Sequence, residues 1–168
     1  MSTYYKVVSQ STYLKRIYDA DDVFNIPAGT KITASEPFLE FYDKNRKNGR
    51  FYIDQPVVHF CDNAFDTMLW HNIFYRISTA KHHEIMPVIY QIVPISDVIK
   101  ERCHDNHQFY QCGAHIIEFK EKVALDTMFK LALVEFLDNP EEKTSMYPKL
   151  DMNNIMKMWV KHEQPTRI

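Results

Sequence analysis

One stretch constrains the fold of this chain more than any other. Residues 56–63, with the sequence PVVHFCDN, have the character of a buried strand that runs directly into a helix. Val58 and Phe60 are of the β-branched and aromatic types that strands favour. Because side chains alternate along a strand, these two should face one side while His59 and Cys61 face the other.

The end of this strand predicts both a helix start and a candidate site. Asp62 can cap a helix, since its carboxylate can accept the free N–H groups of the first turn, and apolar residues follow at helical spacing over 64–73. A strand end with His59 and Cys61 beside a helix N-terminus is a favourable place for an anion or a small ligand. The alternative is that both are packing residues of the core.

The remaining periodicity predicts a single α+β domain. We expect a mixed or antiparallel sheet flanked by helices within residues 1–122, and C-terminal helices within 123–168 packed on that core. Further strands are predicted at 4–9, 30–33, 88–93 and 114–119. Besides the helix after the central strand, helices are predicted at 123–137 and 151–162, and Ser96 caps a predicted helical turn that ends at about Arg102. We expect a polar loop at 103–113 and a linker at 141–147. The helix over 123–137 is apolar almost all round, which indicates that it is well buried or covered by a neighbour.

Composition excludes several classes of function. The chain has only 3 Gly in 168 residues, so it contains no glycine-rich phosphate loop. Its net charge of -2 argues against a general nucleic-acid binder, and its longest apolar run is too short to span a bilayer. Three Cys do not suggest a disulfide scaffold. With no apolar signal region in the first residues, we expect a cytoplasmic protein in a reducing environment that does not engage a membrane.

A cluster of soft donors forms a candidate metal site. Cys103, His107, Cys112 and His115 are spaced C-x3-H-x4-C-x2-H, and two thiolates with two imidazoles can bind Zn²⁺ tetrahedrally. The spacing is not one of the common zinc patterns. The alternative is a polar loop with scattered His, in which case no metal is bound.

Candidate catalytic groups are few. His59 and Cys61 lie roughly 7 Å apart by strand rise, too far for a nucleophile–base pair. Glu118 lies near the end of the strand predicted at 114–119, and Glu121 follows shortly after it. Glu118 could orient a ribose or act as a general base in a cleft with His59. The alternative for Glu118 is a solvated strand edge.

A basic segment offers a candidate partner-binding surface. Aromatic residues flank this segment, which an Asn-Gly turn signal predicts to be a projecting hairpin. Such a surface can grip single-stranded nucleic acid or an acidic protein face, and the alternative is a solvated turn. The residues that we expect to make contact are Lys44, Arg46, Lys47, Arg50 and Tyr52.

The strand-to-helix stretch carries a resemblance. Residues 58–61, Val-His-Phe-Cys, are similar to the F-H-F-C strand that precedes a helix in small uncharacterised domains of phages and bacteria. The order of elements over about residues 4–122 more distantly resembles the ADP-ribosyltransferase fold.

That resemblance implies an NAD cleft with a first-strand His or Arg, a central Ser or Tyr and a late-strand Glu. Glu118 or Glu121 would be the late Glu. The first strand here has Tyr5 and Lys6 and neither His nor Arg.

Two functions follow as expectations. The first is a small binding or inhibitor protein, such as a phage or mobile-element accessory factor, that acts by occupying a cellular macromolecule, either a protein or a nucleoprotein. The second is an ADP-ribosyltransferase-like enzyme that uses NAD, with His59 and Glu118 as its catalytic residues. Under the first we expect no cofactor, and under the second NAD.

Overall fold

The computed structural model describes residues 2–8, 25–34, 57–70, 73–78, 87–102, 110–146 and 150–163. Within these ranges the chain forms an α+β arrangement whose sheets are antiparallel and whose C-terminal part is helical, as predicted. The strands are β1 (Tyr4–Val8), β2 (Lys31–Thr33), β3 (Val58–Phe60), β4 (Val88–Pro94), β5 (Ile99–Arg102), β6 (Tyr110–Ala114) and β7 (Ile116–Val123). The helices are α1 (Ala64–Leu69), α2 (Ile73–Ser78), α3 (Leu125–Asp138), α4 (Pro140–Met146) and α5 (Met152–Glu163).

Two bent segments link the two sheets. The four-stranded sheet has the order β1-β4-β7-β2 and the three-stranded sheet the order β3-β6-β5. The chain leaves β4 and continues as β5, and it returns through β6 and continues as β7, with His115 at the bend. The buried positions of β6 and β7 change parity across this bend, from Cys112 and Ala114 to Ile117 and Phe119. Each bent segment therefore contributes to both sheets.

A backbone bridge between Tyr5 and Cys61 joins the two sheets a second time. Each residue donates its N–H to the other's carbonyl at 2.9 Å. The strand pairings, together with the chain continuity of β6 and β7, thus form a closed circuit from β1 through β4, β7, β6 and β3 back to β1. One core cluster packs along this circuit: Val8, Ile26, Ile32, Ala34, Val58, Phe60, Tyr90, Ile92, Cys112, Ala114, Ile117 and Phe119.

A second core lies between the outer face of β1 and β4 and the helices. Tyr5 and Ile89 face this side, where they meet buried residues of α1, α2, α3 and α5. Phe74 of α2 contacts Phe129 of α3 edge-on, with ring centroids 5.6 Å apart. None of the helices in the described ranges combines the length and apolarity needed to cross a bilayer.

Several local predictions were wrong. The predicted helical turn after Ser96 is instead strand β5, and the predicted polar loop ends in strand β6 from Tyr110 onward. These two segments pair with each other over four residues, and tertiary pairing overrides the weak local preference of polar residues. The predicted linker at 141–147 is mostly helix α4, since Asn139 accepts the N–H of Glu142 through its side chain at 3.4 Å.

Candidate functional site

The predicted site lies at the junction of β3 and α1, where Asn63, not Asp62, caps the helix. The Asn63 Oδ1 accepts the backbone N–H of Asp66 at 2.8 Å, and its Nδ2 donates to the Asp66 carboxylate at 2.8 Å. Asp62 instead reaches across to β5, where the Lys100 ammonium lies 2.6 Å from its carboxylate. The prediction of an Asp62 cap was therefore wrong by one residue.

The first amide groups of α1 are occupied by a carboxylate from α3. Glu135 accepts the N–H of Ala64 at 2.8 Å and that of Phe65 at 3.2 Å, one on each oxygen. A helix N-terminus attracts anions because its N–H groups are free, and here those groups already bind an anion of the protein itself. The predicted anion or ligand site does not form at this helix end.

His59 lies beside a lysine that sequence reasoning left without a role. The Lys6 ammonium donates to the carbonyl oxygen of His59 at 2.7 Å. Burial lowers the pKa of Lys6 to about 8, although the nearby Cys61 opposes this shift. Burial, reinforced by the positive charge of Lys6, lowers the pKa of His59 to about 3. The imidazole is therefore neutral at physiological pH, and it cannot serve as an acid there.

The two cysteines of the described chain are buried thiols. The Trp70 indole N–H donates to Cys61 Sγ at 3.0 Å. Burial raises the pKa of Cys61 well above its usual range, and it raises that of Cys112 to about 12. The thiolate is the nucleophile, so protonated thiols at these two positions are poor nucleophiles near neutral pH.

The two members of the predicted zinc set that the structure describes lie in different environments. Cys112 is buried in the core cluster that packs along the circuit of strands, while His115 is exposed at the bend between β6 and β7. Cys103 and His107 lie outside the described residues. Among the residues that the structure does describe, no three His, Cys, Asp or Glu side chains are grouped so that they could hold a metal ion.

Glu118 belongs to the four-stranded sheet, whereas His59 belongs to the three-stranded one. Glu118 lies opposite Lys31 of β2 and Val93 of β4, and it forms an ion pair with Lys120. Hydrogen bonding to Lys120 holds the pKa of Glu118 below its usual value. His59 lies opposite Gly113 in the three-stranded sheet. The two residues thus belong to different sheets, and a shared NAD cleft stays a prediction.

The predicted partner-binding segment, with Lys44, Arg46, Lys47, Arg50 and Tyr52, lies outside the described residues. Its contribution stays a prediction.

Two exposed apolar surfaces were not predicted. Val93, Ile95 and Val98, which we call the bend patch, are 38%, 49% and 39% exposed where the chain passes from β4 to β5. A second surface, the α3 stripe, consists of Leu131, Val134 and Leu137, which are 41%, 66% and 64% exposed.

The α3 stripe contradicts the expectation that this helix is covered all round. The apolar residues of α3 outnumber those that its neighbours can cover, and Met128, Phe129 and Ala132 take the buried side. The high apolar content of α3 was the available signal, because a small domain has few neighbouring elements with which to cover a helix that is apolar on most sides. The bend patch had no comparable signal, since its exposure depends on how β4 turns into β5.

Comparison of the chain with known protein families, with curated proteins and with solved structures finds no significant match. The resemblance to the ADP-ribosyltransferase fold therefore stays a prediction from one short motif and the order of elements.

Proposed function

We propose that this chain is a binding protein that acts by occupying a macromolecular partner, and that the bend patch is its contact surface. The observation that carries the proposal is the exposure of Val93, Ile95 and Val98 within six consecutive residues. Large aliphatic side chains scattered singly over a surface are ordinary, whereas a local group of them is typical of an interaction site.

The bend patch is held in a fixed shape. Ile95 and Ser96 both donate their N–H to the carbonyl of Ile116, at 2.8 and 3.4 Å. The Ser96 hydroxyl accepts the N–H of Ile116 in return, at 2.9 Å. Three hydrogen bonds to one residue of β7 thus fix the backbone of the bend. A surface that is already ordered before binding loses little conformational entropy on binding, which favours affinity.

The surroundings of the bend patch fit a protein partner. The patch leads directly into β5, the last strand of the three-stranded sheet, in which the exposed Lys100 is paired with Asp62. Apolar anchors beside a sheet edge suit an extended or apolar segment of another protein. A phage or mobile-element accessory factor that blocks a host protein would act in this way.

Four described ionisable groups that could take part in catalysis are held in states that do not suit it. The His59 imidazole is held neutral, the Cys61 and Cys112 thiols are held protonated, and the Glu118 carboxylate is paired with Lys120. A general acid or base works best with a pKa near the operating pH and with a second group in reach. The shifts at these positions move the pKa values away from neutrality.

The test is a comparison of matched variants in affinity capture from cells that express the protein. Ile95→Glu with Val98→Glu places two charges in the bend patch, and Gln91→Glu adds a charge at an exposed position of β4 as the control. We expect a partner that is retained by the wild type and by Gln91→Glu and lost by the double variant. The purified partner should then show the same order of affinities by calorimetry.

Two outcomes would contradict the proposal. One is a partner that binds the double variant as tightly as the wild type. The other is release of nicotinamide from NAD by the purified wild type, abolished by Glu118→Gln while circular dichroism and partner capture are unchanged. That second result would establish the ADP-ribosyltransferase-like alternative.

A further inference from the structure

The α3 stripe has a chemical pattern that is symmetric about its central residue. Leu131 lies three residues before Val134 and Leu137 three residues after it. Lys130 lies four residues before Val134 and Asp138 four residues after it, and both are exposed. At about 100° per residue, all of these positions fall on the same side of the helix as Val134.

The opposite side of α3 packs against the rest of the protein. Met128, Phe129 and Ala132 are buried against the rest of the protein, and Glu135 caps α1. The α3 stripe is therefore a separate surface that points away from the core. It also lies apart in sequence from the bend patch, so the two surfaces can be altered independently.

We propose that two copies of this chain associate through their α3 stripes, with the helices antiparallel and the two Val134 side chains at the two-fold axis. In this arrangement Leu131 of one copy lies at the level of Leu137 of the other. Lys130 of one copy lies at the level of Asp138 of the other, and the symmetry repeats each contact. A two-fold interface requires a surface that is complementary to itself, and the α3 stripe has that property.

The charges of Lys130 and Asp138 favour the antiparallel pair over a parallel pair and over a different protein partner. A parallel pairing of the same helices would place Lys130 beside Lys130 and Asp138 beside Asp138, which is unfavourable. A different protein would have to supply apolar side chains with an acidic group near Lys130 and a basic group near Asp138. The chain itself supplies that set in antiparallel order.

The interface is small, so the dimer should be weak and reversible. The α3 stripe spans two helical turns, about 9 Å at 1.5 Å per residue. Stable protein interfaces bury roughly 800 Å² on each partner, well beyond what two turns of helix provide. We expect a monomer–dimer equilibrium that is visible at micromolar to millimolar concentrations.

Sedimentation equilibrium of the full chain over a concentration series tests this inference. Val134→Glu places two like charges at the axis, and we expect it to be monomeric throughout the series. Thr144→Glu adds the same charge at an exposed position of α4 and should dimerise as the wild type does.

A charge swap tests the register. Lys130→Glu alone and Asp138→Lys alone each replace two attractive pairs by repulsive ones, and each should raise the dimer Kd about tenfold. The double variant Lys130→Glu, Asp138→Lys restores opposite charges and should return the Kd to within about threefold of the wild type. Circular dichroism of each variant confirms that the fold is kept.

A wild type that stays monomeric at millimolar concentration would overturn the inference. So would a dimer that survives Val134→Glu, because it would use another surface. A double variant as weak as the two single variants would overturn the antiparallel register. None of these results bears on the bend patch, whose test uses different substitutions.

Discussion

The Nζ of Lys6 donates a 2.7 Å hydrogen bond to the carbonyl oxygen of His59, at the point where β1 and β3 separate. These strands share one backbone bridge, between Tyr5 and Cys61. The next backbone pair of an antiparallel ladder would use the carbonyl two residues from that bridge, which is the carbonyl of His59. The Lys6 ammonium thus adds one hydrogen bond to the contact between β1 and β3, which is the contact that closes the circuit of strands.

Replacing Lys6 should change how the stability of the folded protein depends on pH above 8. The Lys6 pKa is about 8 in the folded protein and 10.5 ordinarily, so between these values the unfolded chain binds more protons. Stability should therefore rise as pH increases from 8 to 10.5, by at most about 1.4 kcal/mol per pH unit. Lys6→Met should abolish the rise in urea unfolding curves, whereas Lys31→Met, at an exposed position of the same sheet, should keep it. An unchanged rise in Lys6→Met would show that another group is responsible.

His59 should destabilise the protein in acid. Its pKa is about 3 in the folded protein and 6.5 ordinarily, so the unfolded chain takes up a proton first as the pH falls. Stability should decline from pH 6.5 towards pH 3, by at most about 1.4 kcal/mol per pH unit from this group. His59→Gln should flatten the decline, and His115→Gln, which alters an exposed imidazole, should not. Identical acid profiles for the wild type and His59→Gln would refute the assignment.

Glu135 should contribute more to stability than any exposed carboxylate of α3 or α4. Glu135→Ala removes two charge-assisted hydrogen bonds, each on the order of 1.5–3 kcal/mol, so we expect a loss of at least about 2 kcal/mol. Glu135→Gln, which keeps one oxygen acceptor, should lose less. Glu141→Ala, at an exposed position of α4, should change little. Amide exchange at Ala64 and Phe65 should accelerate in Glu135→Ala, and protection equal to the wild type would contradict the cap.

The thiols should differ in reactivity. Cys61 and Cys112 are buried, and burial keeps both protonated at pH 8. Of the 3 cysteines in the chain, at most one should therefore react quickly with iodoacetamide under native conditions, and all should react in urea. Mass spectrometry of the labelled peptides identifies the sites. Fast labelling of Cys61 or Cys112 in the native protein would contradict their burial.

The sequence was sufficient for the elements with clear periodicity. Strand β1 and the apolar strand β4 follow from residue type, and helix α3 follows from its length and apolar content. β5 could not be predicted, because its residues Ile99–Arg102 are mostly charged and become a strand by pairing with β6. Local preference is a weak guide where a distant strand decides the outcome.

The strand-to-helix junction was predicted in the correct place, whereas the contacts of its residues were not predicted. Residues 59–63 do gather at a strand end beside a helix, as the pattern indicated. The contacts that determine their chemistry come from Lys6, Lys100 and Glu135, which lie far away in the sequence. A single sequence shows which side chains are present and cannot show which distant partner reaches them.

The carboxylate that caps α1 is translated long after the helix itself. Glu135 follows Ala64 by 71 residues, and Phe136 and Lys143, which contact the ring of Phe65, follow later still. A nascent chain on the ribosome therefore holds Phe65 without these three contacts until residues 135–143 emerge. Domains generally fold as units during synthesis, and here the unit cannot close before its C-terminal third is made. A prematurely terminated chain that ends before Glu135 would leave the Ala64 and Phe65 amides without their carboxylate and would present a less covered Phe65 to chaperones and proteases.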